Sequence, residues 1–416
     1  MVRDIQPIVP PPHRQPKNLL RPVTEQRLEN RQLRRLLICL FIVTSAWSGA
    51  GITAAADQPA SIVLGQSCAL SGPTQNHGLQ MRAGLLAAFA YINERGGVKG
   101  RDIHLISLDD GYEPDKAVRN TLRLITEDKV FLLIGEVGTP TSKAVIPIVE
   151  EYRIPFFAPF TGAELLRKPF RRYIINVRAS YYQEMETLAA YLVDHHHLQR
   201  IACFYQNDSY GLTGLEGIEL ALARRGLQLV SKGSYERNTL AVMGGIREIY
   251  QADPQAVVMV GAYPACAEFI KLSKIKLKKD VPFCNISFVG TESLKKALGA
   301  YGQNVIVSQV VPHPLNNDIA LIREFRESMM IYQHDAPISF ISLEGYIAGK
   351  LFAQIATAVP GELTREKFIT TMQEVGGFDL GGILLQFGPD DHQGMDSIFL
   401  TTIFPNIVKL DVMAQP

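Results

Sequence analysis

The stretch Leu133–Ile148, LIGEVGTPTSKAVIPI, decides the fold. Its apolar run stops at Gly135, the turn Val137–Ser142 carries hydroxyls and no charge, and a helix follows. Strand, short turn and helix in that order are the repeating unit of α/β sheets. In open sheets of this kind ligands sit beyond the carboxyl ends of the strands, where the next helix begins. Thr139 before Pro140 has the form of an N-cap with proline at the first helical position. Free N–H groups at such a start favour an anion. Two readings of Thr139 therefore stand side by side: it caps its own helix, the common task of threonine there, or it faces a bound group.

Working outward, the alternation repeats. On the N-terminal side SIVLGQSCAL reads as a strand and LQMRAGLLAAFAYINERGG as a helix, with Leu79, Leu86, Phe89 and Ile92 near helical spacing and Gly96-Gly97 at its end. DIHLISLDD and PDKAVRNTLRLITED repeat the pair. VFLLIG, IPFFAPF and YIINV are short continuous apolar runs, as strands buried on both faces are. On the C-terminal side RIACFYQ, a helix over 211–225, LQLVSKGSY, a helix over 241–250, AVVMVGAY, CAEFIKLSKI and VPFCNIS continue the series. A chain of βαβ units gives parallel sheets with helices on both faces. The strands are too many for one small sheet, so the expected architecture is α/β with two doubly wound parallel-sheet lobes. Four stretches fall at strand ends, where a ligand would sit: SGPTQNHG, GEVGTPTS, APFTGAE and GAYPAC.

The chain has 416 residues, 47% hydrophobic and 20% charged, a length that suggests two or three domains. Its first 56 residues have the order of a secretory signal. Arg3, Arg14, Lys17, Arg21, Arg27, Arg31, Arg34 and Arg35 precede the apolar run LLICLFIVTSAW, and small residues lead to Ala54-Ala55-Ala56. The second half of that uncharged stretch is too weakly apolar for a span of about 20 residues in lipid. The basic region is overlong for a signal, which admits a start codon downstream of Met1. The rest of the chain, from Asp57 on, has a slight acidic excess, which does not suggest a nucleic-acid or membrane-surface partner. Cys68, Cys203, Cys266 and Cys284 are far apart, and buried free thiols are expected.

No strong catalytic signature appears: G-x-S-x-G, H-E-x-x-H, a phosphate-binding P-loop and GxGxxG after the first strand are all missing. His195-His196-His197 in DHHHLQR point in three directions on a helix, so they cannot share one ion and are expected to face water. His392, among Asp390, Asp391 and Gln393, reads as a surface loop. His77 with Thr139 or Tyr210 is the nearest approach to a nucleophile–base set, and it lacks an activating third group. No cofactor, metal ligand or catalytic residue is assigned.

The motifs ALSGPTQNHG, YINERGGVKGRDIHLISLDDGYEPDKA, LIGEVGTPTSKAV, IPFFAPFTGAELL, NDSYGLTG and GAYPACAEFIKL, in this order, resemble the periplasmic solute-binding proteins of the leucine/isoleucine/valine-binding type, which serve ABC transporters. The resemblance covers about Ser61 to Leu410. It implies the type I periplasmic-binding fold: two α/β lobes joined by three crossovers, near Val177–Ser180, Val307–Val310 and Phe399–Thr402, with ligand in the cleft. The first lobe would comprise 57–177 and 310–399, the second 178–309 and 400–416. Thr139 falls where the family binds a ligand carboxylate, and Thr161 and Ala163 where that site is completed. His77 falls on an aromatic pocket position, Tyr210 and Tyr263 on two tyrosines of the second lobe, and Phe340 near another aromatic wall. Two positions depart from the family: Ser287 stands where a second-lobe carboxylate holds an α-ammonium, and Ser180 at another acidic position. Glu292 becomes that acid if the register slips. Burying an ammonium without a counter-charge costs several kcal/mol. A carboxylate lacking the amine, an amide or an uncharged polar solute is then the better fit. The resemblance implies a periplasmic, monomeric, non-enzymatic binding protein with a small-molecule solute and the permease and ATPase subunits of an ABC transporter as partners. The rival readings are a ligand sensor of the same fold coupled to a signalling partner, and an exported enzyme.

Overall fold

A computed structural model of the protein describes residues 61–403 and 410–411. The signal-sequence reading of residues 1–56 lies outside the described residues. The first sheet contains β1 (Ile62–Cys68), β2 (Ile103–Asp109), β3 (Leu133–Ile134), β4 (Phe156–Phe157) and β5 (Ile174–Ile175), in the order β2-β1-β3-β4-β5. All its pairs are parallel. Helices α1 (Gln75–Asn93), α2 (Pro114–Thr126) and α3 (Thr139–Glu151) connect the first strands. After β5 the chain enters the second lobe through α4 (Tyr181–Ala189). There β6 (Ile201–Gln206), α5 (Ser209–Ala223), β7 (Ser231–Tyr235), α6 (Met243–Gln251), β8 (Ala256–Val260), α7 (Tyr263–Lys276), β9 (Phe283–Asn285), α8 (Thr291–Leu298) and β10 (Val305–Gln309) alternate. β8, AVVMV, is buried at every residue, as a strand covered on both faces must be.

From β10 the chain returns to the first lobe as α9 (Ala320–Tyr332), α10 (Phe340–Ala358) and α11 (Arg365–Val375), followed by the hairpin β11 (Gly377–Asp379) and β12 (Leu384–Gln386). The return rests on a close crossing of α10 and α1. A Cβ on Gly84 would stand 1.9 Å from the Ser342 carbonyl oxygen, and one on Gly345 would stand 2.3 Å from that of Met81. Only glycine at both places lets the two backbones meet. α10 is consequently buried along most of its length.

Sequence reading and structure differ at one sheet edge. β13 (Phe399–Thr402) pairs antiparallel with β10, and β14 (Leu410–Asp411) antiparallel with β13, in the order β14-β13-β10-β9-β8-β6-β7. The stretch read as a third crossover is thus itself a strand of the second sheet. A chain coming back from the other lobe can add antiparallel strands at that end of the sheet without a crossover helix, here β13 with β14 outside it.

Other expectations resolve locally. The four described cysteines are buried and free. His195, His196 and His197 are exposed at the end of the helix that continues α4. His392 is not on an open surface loop. It is 5% exposed, contacts the Ile174 carbonyl oxygen through Nδ1 at 3.2 Å and Gln373 through Nε2 at 2.9 Å, and meets the Phe170 ring edge-on. Its own carbonyl accepts the Asn176 amide, which ties this loop to the end of β5. No helix of the described residues is long and apolar enough to cross a membrane.

Candidate functional site

The site begins at the turn that opens the sequence. Gly138, at φ +108°, is the N-cap of α3, and no side chain caps this helix. A Cβ at Gly138 would stand 2.1 Å from the Tyr112 ring, so a glycine is required there. Thr139 is consequently the first helical residue and its hydroxyl is released from capping. That hydroxyl bonds Thr161 Oγ1 at 2.7 Å. Phe160 aligns the two loops: its amide donates to the Glu136 carbonyl at 2.7 Å and its carbonyl accepts from Gly138 at 3.3 Å. Thr161 Oγ1 also accepts the Ala163 amide at 3.3 Å, and Thr139, Thr161 and Ala163 are all fully buried. The Tyr181 ring packs on Gly162, and its amide donates to the Gly162 carbonyl at 2.7 Å. Its buried hydroxyl lies near Thr161 without a hydrogen bond of ordinary geometry.

The second lobe contributes aromatic surface. Phe288, in the one-turn 3-10 helix Ser287–Val289, reaches the first lobe and is fully buried. Its ring centroid is 4.9 Å from His77, 5.4 Å from Phe160 and 4.6 Å from Tyr210. His77 joins the lobes: Nε2 is 2.6 Å from the Phe288 carbonyl oxygen, Nδ1 3.2 Å from that of Thr74, and the ring stacks on Tyr263 at 5.9 Å. Burial lowers the His77 pKa, which favours the neutral ring. A neutral imidazole carries one N–H, and the shorter contact assigns it to Nε2. The Tyr263 hydroxyl accepts from Asn76 Nδ2 at 3.1 Å, another contact between the lobes.

Behind the aromatic rings is a buried ionic cluster. Arg178, between β5 and α4, is 1% exposed. Its guanidinium lies 5.0 Å above the Phe160 ring centroid. Nη2 donates to Glu184 Oε1 at 3.1 Å and to Ser287 Oγ. Glu184 also accepts from the Ser287 amide at 2.7 Å, from Ser287 Oγ at 2.9 Å and from Ser308 Oγ at 2.6 Å. Glu344, on α10, is 3.6 Å from Arg178 Nη1. Burial, with Glu184 adding repulsion and Arg178 opposing, pushes its carboxyl up to about 7. Burial also works against the charge of Arg178, but Glu344 and Glu184 outweigh it and raise its pKa. Arg178 Nε and Nη1 are buried without a hydrogen-bond partner.

The residues singled out from sequence divide accordingly. Thr139, Thr161 and Ala163 form one wall, and His77, Tyr210 and Tyr263 gather around or beside Phe288. Ser287 faces Arg178 and Glu184. Ser180 instead caps α4 by accepting the Gln183 amide at 3.3 Å, and it lines a separate pocket of about 740 Å³ with Arg167, Tyr182 and His392. Phe340, the first residue of α10, packs its edge on His313 at 5.4 Å. Glu292 faces the Phe340 amide, and burial pushes its carboxyl up to about 7. The acid beside Ser287 is therefore Glu184. Sequence reading missed Arg178, Glu184, Phe288 and Glu344. Its available signals were the charged residue directly after the apolar run YIINV, and a phenylalanine next to a serine already chosen. Among the described residues no group of three or more metal-binding side chains occurs.

Two α/β lobes, with hydroxyls at a helix start on one and aromatic rings from the other closing over them, define a cleft-type solute-binding protein. Residues 61–406 match the periplasmic binding protein family, and the chain belongs to it. A Leu/Ile/Val-binding protein homologue from Brucella abortus is 24% identical over 320 residues, 74% of this chain and 79% of that protein. The crystal structure of a possible leucine/isoleucine/valine-binding protein from Rhodopirellula baltica is 37% identical, with TM-score 0.81, covering 85% of this chain and 96% of that one. A substrate-binding periplasmic protein from Ralstonia solanacearum is 27% identical, with TM-score 0.79, covering 84% and 100%. The fold is that of a type I periplasmic binding protein, and the chain's role is substrate binding.

Proposed function

We propose that this protein is exported to the periplasm, captures a small polar solute between its lobes and delivers it to the permease and ATPase subunits of an ABC transporter. One observation carries the reading: the Thr139–Thr161 hydroxyl pair at the start of α3 lies in the seam where Phe288 of the second lobe stacks on His77 and Phe160 of the first. A solute held there touches both lobes. It then favours the closed form by its differential affinity for that form. Residues 57–177 with 310–399, and 178–309 with 400–416, would move as the two bodies. Removal of residues 1–56 accompanies export, and the protein acts as a monomer.

The site serves binding and not turnover. Thr139 and Thr161 bond each other, and both His77 nitrogens face carbonyl oxygens, so no base is aligned on a nucleophile. Within this reading Thr139, Thr161, Ala163, His77, Tyr210, Tyr263 and Ser287 line or support the site. Ser180 and Phe340 stand at its margin.

The test is a thermal-shift screen of the purified protein against carboxylic acids, amides, polyols and amino acids. A ligand specific for the folded state, at a hundred times its Kd, stabilises by about 2.7 kcal/mol. Thr139→Ala is expected to weaken the best ligand about tenfold or more, the worth of one hydrogen bond to a charged group. Unchanged affinity in both Thr139→Ala and Tyr263→Ala would move the site elsewhere.

A further inference from the structure

We propose that Glu113 holds the two lobes shut: Arg237 and Asn238 of the second lobe grip its two carboxylate oxygens, and this grip sets the balance between the closed and open forms. Glu113 is thus a positioning residue for capture, and the proposal rests on the solute-capture reading above.

Three observations support it. First, Glu113 is turned away from its own helix. It is the N-cap of α2, yet its side chain caps nothing there. Its carboxylate instead accepts from Arg237 Nη2 at 2.8 Å through Oε2 and from Asn238 Nδ2 at 2.8 Å through Oε1. Both donors lie in the turn between β7 and α6. Hydrogen bonds to a carboxylate are stronger than neutral ones, most of all from a guanidinium. Arg237 keeps a foothold in its own lobe, with Nη1 3.7 Å from Asp208 Oδ2.

Second, both turns are bent into place by left-handed backbone. Gly111 is at φ +57°, Tyr112 at +65° and Asn238 at +59°. Asparagine tolerates that region, but a residue as bulky as tyrosine does not adopt it freely. Such strain persists only where the surroundings hold it. Asp110 does so from within the first lobe: its Oδ1 accepts the Tyr112 amide at 2.8 Å and its carbonyl the Glu113 amide at 3.0 Å. Asn238 does so from the second, where Nδ2 also reaches the Gly111 carbonyl at 3.4 Å.

Third, the same turn carries the fully buried Tyr112 into the seam. Its ring centroid is 6.1 Å from that of Phe288 and 5.9 Å from the Arg237 guanidinium, and its hydroxyl is 3.4 Å from Gln206 Nε2. On the first-lobe side the ring packs on Gly138, the cap residue of α3. Opening the lobes strips these second-lobe contacts from Tyr112 and both donors from Glu113 at once. Closure therefore also steadies the turn that places Thr139. The Glu113 side chain keeps 42% of its surface in water and Arg237 24%, so salt screens the pair and its effect is several-fold, not orders of magnitude.

The experiment is small-angle X-ray scattering of the full protein without solute, which reads the closed-to-open balance as a radius of gyration. Glu113→Gln and Arg237→Met should each lower the closed-to-open ratio about three- to tenfold and expand the particle. Asn238→Gly suits the backbone at φ +59°, removes only the amide and should expand it less. The double variant Glu113→Gln/Arg237→Met should go no further than the larger single change, because the two residues share one contact. About 0.5 M sodium chloride should expand wild type and leave the double variant unchanged. Glu150→Gln breaks an ion pair with Arg171 inside the first lobe and, as the control, should scatter like wild type. The series is repeated with leucine, 4-methylpentanoate and 4-methylpentanamide. Glu113 and Arg237 variants that scatter like wild type, or a Glu150→Gln protein that expands as they do, overturn the role of Glu113. Compaction by any of the three solutes then leaves capture standing. Profiles that no variant, salt or solute alters overturn the role of Glu113 and count against closure of two lobes as well.

Discussion

The two walls of the cleft are built on opposite principles. The wall around Thr139 is local and neutral: two adjoining strand-to-helix turns, hydroxyls and backbone amides, with no charge in Val137–Ser142. The wall around Arg178 is assembled from distant segments and carries ionisable groups sealed from water, Arg178, Glu184 on α4 and Glu344 on α10, joined by the hydroxyls of Ser287 after β9 and Ser308 on β10. A neutral hydroxyl wall is made cheaply and tolerates loss of one partner. A buried ionic wall tolerates none, because removing one charge strands the others. The first cluster can therefore adjust to a neighbour, while the second fixes the geometry between the segments it joins.

The largest expected effect lies in the ionic wall. Glu184→Ala leaves Arg178 without its nearest counter-charge and strands donors from Ser287 and Ser308. Breaking such a buried pair costs about 3–5 kcal/mol. Urea unfolding should show a fall in unfolding free energy of that size, whereas Thr139→Ala should cost only about 1 kcal/mol of stability, a single neutral hydrogen bond. Equal losses in the two variants would erase the contrast between the walls.

The neutral wall has its own rigid point. Gly138→Ala places a Cβ where the Tyr112 ring stands and forces alanine to φ +108°. The backbone alone costs roughly 1–3 kcal/mol, and displacing the ring adds a comparable overpacking cost. Because the Thr139 hydroxyl is placed by this turn, binding should fall together with stability. A Gly138→Ala protein that keeps both would mean that the turn relaxes freely.

This contrast also explains what can be read from sequence. LIGEVGTPTSKAVIPI announces its turn because strand, glycine and helix are neighbours in the chain, and Thr161 is found by the same rule one strand later. The Thr139–Thr161 bond itself comes from the pairing of Phe160 with the turn, which the alternating pattern permits but does not specify. The Arg178 cluster leaves no periodic trace. Glu184 lies on a face of α4 like any helical acid, and nothing in NISFVG says that Ser287 will meet it 103 positions away. The antiparallel β13 is hidden for a similar reason: four residues, FLTT, give no direction until β10 pairs with them. His392 is surrounded by polar neighbours in sequence yet is buried by Phe170 and by the end of β5.

Acid titration separates the walls more gently. The Glu344 carboxyl is pushed from its ordinary value of 4.5 up to about 7, facing Arg178 on one side and Glu184 beyond it. Its folded pKa is the higher one, so the folded protein holds the extra proton between those values. The stabilisation is complete below the unfolded pKa and is lost as pH rises through about 7. Glu344→Gln removes this dependence. Wild type should therefore lose stability relative to the variant between pH 5 and pH 8, by on the order of 2–3 kcal/mol. A difference that stays flat, or a wild type that gains on the variant as pH rises, would mean that folding does not raise the Glu344 carboxyl.

The smallest effect is expected at the rim. The Tyr263 hydroxyl accepts from Asn76 across the cleft at 3.1 Å, but Tyr263 is only partly buried and water can replace the contact. Tyr263→Phe keeps the ring that stacks on His77 at 5.9 Å and removes only the hydroxyl. The bond exists only where the lobes meet, so its loss acts on closure and not on folding of either lobe. A net hydrogen bond of this kind contributes about 0.5–1.5 kcal/mol, hence a loss of up to about tenfold in affinity with little change in melting temperature of the ligand-free protein. A larger loss in Tyr263→Phe than in Thr139→Ala would reverse the ranking and place the ligand's main polar contact on the second lobe.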